Sequence, residues 1–373
     1  MTKKVLNKQD LLDICDGAAI LGTGGGGSPE LGKSQVLRDI EAGRSFHLID
    51  LDEVGDDLAV FCPAGVGTIA PRDPSSEDTM RQLEREEDPM STAFKLLEDY
   101  IGAKAGVVIP FELGGRNTAR ALSAAARFGI PCVDGDPVGR AVPELEMTSF
   151  SLHGLKLAPA CLSNFHRDRL ILKDAVSSAR VEAVARSLAV SSFGWAAFVA
   201  CPCKGSELRN IAFIGTISKC LSLGKAAREA VTSGKDPIDA IVRVSNGFEL
   251  FRGIVANVSW KDEGGFMKGD FAISGQGEHT GRTLKVWFKN ENHIAYLNGR
   301  PFVMSPDLIC VVDEASGRAI TNTATEQGMR VTVIGMKSEP SWRTQEGVAL
   351  MGPRHFGFNI QYRPIEEALQ QTC

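Results

Sequence analysis

The chain has 373 residues, of which 43% are hydrophobic and 23% are charged. These values are typical of a globular protein of two to three domains with a sizeable buried core, and they exclude a disordered chain. The formal net charge is -5 and no block of Lys or Arg occurs. Nucleic acid and anionic membrane surfaces are therefore disfavoured as partners, and a small-molecule substrate is favoured.

The nine cysteines are an odd number and lie in apolar stretches, which predicts reduced thiols in the core of a cytoplasmic protein. Cys201 and Cys203 have no second Cys or His pair at a suitable distance, so we interpret them as core thiols and not as zinc ligands. The N-terminal residues contain no continuous apolar stretch and no small-residue cleavage site, and they predict no signal peptide. We therefore expect a cytoplasmic protein without a membrane segment.

The first predicted elements are two helices that flank a glycine run. Apolar residues at helical spacing predict a helix over residues 10–21 with Asp10 as its N-cap, and Ser28 followed by Pro29 predicts the start of a second helix. The run between them consists of Gly24, Gly25, Gly26 and Gly27. Free backbone N–H groups before a helix favour a cradle for an anion or a carbonyl oxygen, although a tight interhelical turn is the alternative. The run matches neither a dinucleotide fingerprint nor a P-loop, so no nucleotide is expected.

A strand–helix–strand unit follows. Residues 75–100 have a helical pattern that Pro89 must interrupt. Residues 106–110 form a predicted buried strand, residues 119–128 a helix and residues 131–133 a second strand. This alternation within about thirty residues is the pattern of a βαβ unit and predicts two parallel neighbouring strands.

Charged and polar side chains follow both predicted strands. Glu112, Arg116 and Asn117 come after the first strand, and Asp134 and Asp136 come after the second. Because parallel strands end at the same edge of a sheet, we expect these side chains to face one another across one crevice. Carboxylates beside a guanidinium suit general acid–base catalysis, activation of water or binding of a hard cation. The alternative is structural, with Asn117 as a helix cap and Arg116 paired to Asp134.

Three further sets of polar residues are candidates for the functional site. Arg140 and Glu144 follow the aspartate pair and either contact the substrate or pair with each other. Residues 290–291, Asn and Glu, lie on a predicted hairpin turn, where they are most simply solvent-facing, although they could reach a cleft between domains. Residues 352–357 form a loop with an Arg–His pair to which no role is assigned.

The second half of the chain is richer in strands. Alternating apolar residues over 284–288 and the turn at 290–292 predict a β-hairpin. Two helices interrupt the strands, over residues 179–188 and over residues 219–242 with a break at Pro237.

The fold class that follows is mixed α/β. We predict an N-terminal α/β domain over residues 1–165, which contains the parallel βαβ unit, and a strand-rich C-terminal α+β domain over residues 166–373.

The motifs together resemble a known bacterial family. The resemblance extends over almost the whole chain and rests on residues 21–27, 112–117, 134–144, 251–253, 290–292, 306–310 and 352–354. The most specific of these is Asp-Gly-Asp…Gly-Arg-Ala…Pro-Glu at 134–144. The family is named after S-methyl thiohydantoin desulfurase. The resemblance implies an α/β N-terminal domain, a strand-richer C-terminal domain and a relation to hydantoinase- and oxoprolinase-like enzymes acting on cyclic amides.

The namesake reaction implies a chemistry for these residues. The methylthio group of a 2-methylthio-hydantoin is replaced by oxygen from water, and a thiol is released. Attack of water at C2 needs a base, for which Asp134 and Asp136 are candidates. Departure of the thiol needs an acid or hydrogen-bond donors, for which Glu112, Arg116 and the amides of the glycine run are candidates. A divalent metal held by the same carboxylates would also activate water, and the sequence leaves that route open.

Two other functions stay open beside this hydrolase. One is a non-catalytic partner or ligand-binding regulator of a hydantoinase- or oxoprolinase-type enzyme. The other, a nucleotide-dependent enzyme that uses the glycine run for phosphate, is disfavoured by the failed motif spacing. A homo-oligomer is expected only because cytosolic enzymes commonly form dimers.

Overall fold

The computed structural model describes residues 4–70 and 74–370. The first part of the chain alternates short strands with helices: β1 (Lys4–Leu6), α1 (Lys8–Leu21), α2 (Pro29–Glu41), β2 (Phe46–Ile49), β3 (Ala59–Gly67), α3 (Pro74–Glu86), α4 (Pro89–Ile101), β4 (Ala105–Val108), α5 (Asn117–Phe128), β5 (Cys132–Val133), β6 (Gly135–Asp136), α6 (Ser149–Leu152) and β7 (Ala160–Ser163).

The remaining part is dominated by strands: β8 (Arg169–Leu172), α7 (Ser178–Val190), β9 (Trp195–Lys204), α8 (Gly205–Leu208), β10 (Phe213–Ile214), α9 (Thr216–Thr232), α10 (Pro237–Ser245), β11 (Phe248–Glu263), β12 (Phe266–Gly275), β13 (Thr283–Lys289), β14 (Glu291–Leu297), β15 (Arg300–Met304), β16 (Leu308–Asp313), β17 (Arg330–Met336), α11 (Gln345–Met351) and α12 (Ile365–Gln370). The predicted mixed α/β fold is confirmed.

The first sheet has the strand order β1-β2-β5-β4-β3-β9-β7-β8. Its centre is parallel, and Val108 of β4 lies opposite Cys132 of β5, which confirms the predicted parallel strand pair. β9 runs antiparallel between β3 and β7. The expected domain boundary after residue 165 falls between β7 and β8, two paired strands of this sheet. The division of the chain at that point stays a prediction.

The second sheet has the order β15-β14-β13-β12-β11-β17-β16 and is antiparallel throughout. The predicted hairpin is β13–β14, joined by Asn290, which has a φ of 58°. Asn tolerates this left-handed conformation better than most residues. A separate two-stranded ribbon pairs β6 with β10. This ribbon joins the end of the first sheet to the start of α9.

Of the caps predicted for the first two helices, Ser28 is confirmed and Asp10 is corrected, and the helical pattern breaks before Pro89 as predicted. Ser28 caps α2 with Pro29 in its first turn, and Asp88 caps α4, which begins at Pro89. The cap of α1 is Asn7 and not Asp10. Asp10 is instead the third residue of the helix and closes a capping box with Asn7, in which each side chain accepts from the other residue's backbone N–H.

The first sheet is covered on both faces. Along β3 the side chains alternate, so Phe61 packs with α4 and α5 residues in one apolar cluster, and Val60 and Cys62 belong to a second cluster with α7 residues. A third cluster fills one side of the second sheet. Seven cysteines of the described part are buried free thiols, as predicted, whereas the side chain of Cys201 and residue 373 lie outside it. Within the described ranges, the helices are too short or too polar to cross a bilayer.

Candidate functional site

The glycine run forms a tight loop between α1 and α2. Gly24, Gly26 and Gly27 have φ values of 91°, 70° and 79°, a region that side-chain-bearing residues rarely adopt. A Cβ on any of the four glycines would collide with a residue brought in from elsewhere: Asn322 at Gly24, Glu291 at Gly25, Gly114 at Gly26 and Arg116 at Gly27. The loop is therefore enclosed by both halves of the chain, which turns it into one wall of an interior site.

Glu291 contacts this loop from the second sheet. It begins β14 and is 2% exposed. Its Oε1 lies 1.8 Å from the position that a Cβ on Gly25 would take, and the N–H of Gly26 donates to its carboxylate. Its Oε2 has no hydrogen-bond partner among the described residues. Burial and the nearby charge of Glu112 raise the pKa of Glu291 well above its usual range.

The solvent-facing interpretation of this hairpin turn is wrong, and the alternative that it reaches a cleft is right. Asn290 is 4% exposed, and its carbonyl accepts from Asn322 Nδ2 at 2.8 Å. The same turn contacts the glycine loop, because Asn292 N–H donates to the carbonyl of Thr23 at 2.7 Å. The sequence carries a weak signal for this burial. Asn-Glu-Asn-His is a polar run that contains neither Gly nor Pro and joins two apolar strands.

Glu112 enters the same site from the carboxyl edge of the first sheet, as predicted. Its carboxylate accepts from Asn117 Nδ2 at 2.5 Å and from Val142 N–H at 2.7 Å. Burial raises the pKa of Glu112 to about 7 against these two hydrogen bonds, which lower it. Asn117 is the first residue of α5, and its side chain donates a hydrogen bond to Glu112. The alternative that it caps the helix is therefore wrong.

Two adjoining cavities lie at this contact between the halves. The inner chamber, about 50 Å³, is lined by both carboxyl groups, Gly26, Phe111, Asn290 and neighbours. The outer cavity, about 280 Å³, is lined by Gly27, Ser28, Arg116, Arg120, Trp195 and neighbours. Gly65, Gly67, Ile69 and Asn117 belong to both walls, so the cavities meet along the end of β3. A water needs roughly 10–15 Å³ of such volume, so the inner chamber suits a few waters and the outer cavity a small ligand.

The structure does not bring Asp134 or Asp136 to the lining of either cavity. Asp134 accepts from the N–H and the hydroxyl of Ser218 and so caps the first turn of α9. One carboxylate oxygen of Asp136 accepts from the N–H groups of Val138 and Gly139, both at 2.8 Å. Burial raises the pKa of Asp136 to about 7. Both aspartates thus hold the backbone behind the site, and their catalytic role stays a prediction.

Arg140 is likewise a structural neighbour of the site and lines neither cavity. It is fully buried, and its guanidinium donates to Thr23 Oγ1 at 2.8 Å and to the carbonyl of Asn292 at 3.0 Å. It also donates to the carbonyls of Ala141, Pro306 and Asp307. Burial lowers the pKa of Arg140 to about 10. These bonds join the glycine loop to the second sheet. The expected alternative, an Arg140–Glu144 pair, is wrong.

Glu144 lines the inner chamber, where Lys289 Nζ and His355 Nε2 donate to its carboxylate. Burial opposes ionisation, but these two donors lower the pKa of Glu144 to about 2. Together with Glu146 and His355 it forms the one group of three metal-ligand side chains close enough to share an ion in the described part of the chain. Because Lys289 already supplies a positive charge there, the geometry favours an ion pair over a metal. His355, to which the sequence assigned no role, holds this glutamate.

Arg120 and Trp195 are two polar lining residues of the outer cavity that the sequence analysis missed. Arg120 follows Arg116 by four residues in α5 and so lies on the same helix face, a signal that was available. Its guanidinium lies over the ring of Trp195, 4.7 Å from the centroid. Nothing local to Trp195 indicated this contact, because it depends on β9 lying beside β3.

Comparisons with known proteins agree with this architecture. Residues 9–174 match the model of the S-Me-THD-like N-terminal domain, and residues 176–365 match that of the S-Me-THD-like C-terminal domain. A crystal structure of a protein from Chromobacterium violaceum superposes with a TM-score of 0.73 at 20% identity, over 97% of this chain and 100% of that one. At that identity the likeness shows the fold alone. No curated protein matches significantly. The chain belongs to the S-Me-THD-like family, whose name denotes a thiohydantoin-related enzyme.

Proposed function

We propose that the protein is a hydrolase of small cyclic amides or thio-amides of the hydantoin type. In the specific form, it removes the alkylthio group of a 2-alkylthio-hydantoin by attack of water at C2. The observation that carries this proposal is the carboxyl pair Glu112 and Glu291, which the two halves of the chain direct into the inner chamber.

The surroundings of the two carboxyl groups suit a division into a base and an acid. The pKa of Glu112 is raised to about 7, and that of Glu291 is raised well above its usual range. We therefore assign the base to Glu112 and the acid to Glu291, because burial and the nearby charge of Glu112 favour the protonated form of Glu291. Pairs of carboxyl groups whose surroundings separate their pKa values are a recurring arrangement for a base and an acid in one site.

The proposed reaction consists of addition of water, loss of the thiol and a final proton transfer. Water in the inner chamber attacks C2, forming the C2–O bond, while Glu112 accepts one of its protons and the π electron pair of the C2–N double bond moves to the ring nitrogen. That pair then re-forms the C2–N double bond as the C2–S bond breaks, and the thiolate takes the proton of Glu291 to leave as a neutral thiol. The proton held by Glu112 passes to Glu291 through solvent, and the proton of the C2 hydroxyl moves to the ring nitrogen as the C2 carbonyl forms. Asn117 orients Glu112 through its hydrogen bond.

The sizes of the two cavities suit a reaction in which water occupies the inner chamber and the substrate ring occupies the outer cavity. The inner chamber has room for waters but not for a five-membered ring, whereas the outer cavity can hold one. A ring at their junction, near Gly65 and Asn117, would present one edge to the carboxyl pair.

The decisive experiment measures thiol release from 2-methylthio-hydantoin by the purified full chain, with and without chelator. Glu112→Gln and Glu291→Gln should each lower kcat/KM by about 10²–10⁴-fold, whereas Glu41→Gln on the exposed surface of α2 should leave it unchanged. Activity that survives both site substitutions would overturn the assignment of the pair. Chelator sensitivity would instead point to a metal-activated water.

The same assay separates the hydrolase from the second hypothesis. Folded protein that releases no thiol, with divalent metal supplied, would refute this substrate. Co-purification of a hydantoinase- or oxoprolinase-type enzyme with such an inactive chain would favour a role as its non-catalytic partner.

A further inference from the structure

The outer cavity differs in charge from the inner chamber. Within the part of the chain that is described, its charged lining residues are Arg116 and Arg120, and no carboxylate contributes to its wall. The inner chamber contains four glutamates, of which Glu144 is paired with Lys289 and Glu182 with Arg186. A ligand that spans both spaces therefore meets carboxyl groups at one end and guanidinium groups at the other.

The guanidinium of Arg120 is held in place by its neighbours, and Arg116 packs closely against the glycine loop at its Cβ. Arg116 Cβ is 2.8 Å from the position that a Cβ on Gly27 would take, so this glycine allows the close approach. Arg120 lies over the Trp195 ring, and its Nη1 donates to Asn117 Oδ1 at 3.0 Å. Side chains ordered before binding lose less conformational entropy when a ligand arrives. The arrangement therefore favours recognition of a group with a fixed shape, such as a carboxylate.

A buried donor lies beside Arg120. Trp195 is 9% exposed, and its indole Nε1 has no hydrogen-bond partner among the described residues. Trp195 Nε1 and Arg120 Nη1 lie 2.5 and 2.4 Å from the position that a Cβ on Gly65 would take. Gly65 belongs to the walls of both cavities. An unsatisfied buried N–H costs about 1–3 kcal/mol, and an acceptor on a ligand at this junction would remove that cost.

Two helix N-termini add to the positive potential. α2 and α5 have 13 and 12 residues, and their first turns line the outer cavity through Ser28 and Asn117. The partial positive charge of a helix N-terminus favours an anion. This contribution reinforces the guanidinium groups and the indole N–H.

The geometry points to an anionic substrate: a cyclic amide that carries a carboxylate substituent. The ring lies at the junction near Gly65, and the carboxylate binds in the outer cavity to Arg116 and Arg120, with the Trp195 N–H as a further donor. The position of the ring rests on the proposed function, whereas the anion site rests on the outer cavity alone.

The test compares two ligands of nearly equal shape. Calorimetry on the full chain measures the affinity of 5-(carboxymethyl)hydantoin and of its uncharged primary amide. We expect the wild-type protein to bind the carboxylate at least tenfold more tightly, and Arg120→Gln to reduce this ratio to below threefold. Arg38→Gln, which removes the same charge from the exposed face of α2, should leave the ratio unchanged. Arg120→Lys should retain part of the preference.

Trp195→Phe provides a second variant in case Arg120→Gln does not fold. It keeps an aromatic ring beneath Arg120 and removes the N–H, so it should lower the affinity for the carboxylate more than the affinity for the amide, because a hydrogen bond to a charged acceptor is the stronger one. Equal binding of both ligands by the wild-type protein overturns the inference, whether or not thiol release supports the proposed function.

A ring-free anion distinguishes failure of the proposed function from failure of the anion site. If neither ring compound binds and no thiol is released, glutarate serves as a ring-free anion. Binding of glutarate that is lost in Arg120→Gln and kept in Arg38→Gln would support the anion site while the hydantoin function fails. Absence of glutarate binding in that case would overturn both.

Discussion

Replacing Glu112 by Gln should change how the stability of the protein depends on pH. In the unfolded chain this carboxyl group has its ordinary pKa of 4.5, and in the folded chain burial raises its pKa to about 7. Between these values the folded state binds a proton that the unfolded state has released. Stability is therefore lost as pH rises through the interval from 4.5 to about 7, and no further change comes from this group above it.

The size of the effect follows from the shift. At about 1.4 kcal/mol for each tenfold change in proton affinity, Glu112 costs the folded state about 3 kcal/mol at pH 8 relative to pH 4.5. The Gln variant lacks this titration. It can accept from only one of the two donors, Val142 N–H and Asn117 Nδ2, and this adds an offset of about 1 kcal/mol.

The assay is urea denaturation followed by far-UV circular dichroism at several pH values between 4.5 and 8.5. The free energy of unfolding of the variant minus that of the wild type should rise by about 3 kcal/mol across the interval. Subtraction removes the contribution of Asp136, whose pKa is also raised to about 7. Glu41→Gln, in an exposed position, should give a flat difference. A flat or falling difference for the Glu112 variant would refute the argument that burial raises this pKa.

Three further substitutions test the assignment of roles. Gly25→Ala should lower kcat/KM at least as much as Glu291→Gln, because the new Cβ would lie 1.8 Å from Glu291 Oε1; an active variant would contradict the packing. Asp136→Ala should cost about 2 kcal/mol in urea denaturation because two backbone donors lose their acceptor, yet keep kcat/KM within tenfold. A loss above 10³-fold would restore the catalytic role predicted from the sequence. Arg140→Met should destabilise the chain by more than about 3 kcal/mol, because it leaves several buried acceptors without a hydrogen-bond donor. An unchanged free energy of unfolding would show that this guanidinium does not join the halves.

The edge of the first sheet shows how far local patterns extend. The spacing of strand, helix and strand predicted that β4 and β5 are parallel, and the loops after them do leave from one edge. It could not predict where each side chain points. Glu112 turns into the chamber, whereas Asp134 turns to the N-terminus of α9, an element that begins more than eighty residues later in the chain. The direction of a loop carboxylate depends on which unpaired backbone donors lie nearest in space, and these come from distant segments.

Asp134 was predicted at the site and does not line it, whereas Glu291 was predicted to face solvent and does line it. A hairpin turn in isolation faces solvent, and its polar residues fit that expectation. Here the turn at Asn290 packs against the glycine loop, so Glu291 is buried with a raised pKa. The glycine run was correctly predicted to allow a group to approach its backbone closely. The group that does so in the structure is Glu291, a residue of the same chain.

The sequence alone determined the mixed α/β class, the start of α2, the break before Pro89 and the parallel strand pair. These depend on periodicity, caps and turns, which act within a few residues. The family followed from the resemblance of its motifs, and the strand pattern placed Glu112 at the edge of the sheet where the inner chamber lies. Only the tertiary structure decided that Glu291 is the second carboxyl group, that Arg140 joins the two halves and that Arg120 and Trp195 line the outer cavity. Those contacts join segments 75 to 266 residues apart, and burial, which raises both glutamate pKa values, exists only once those segments pack together.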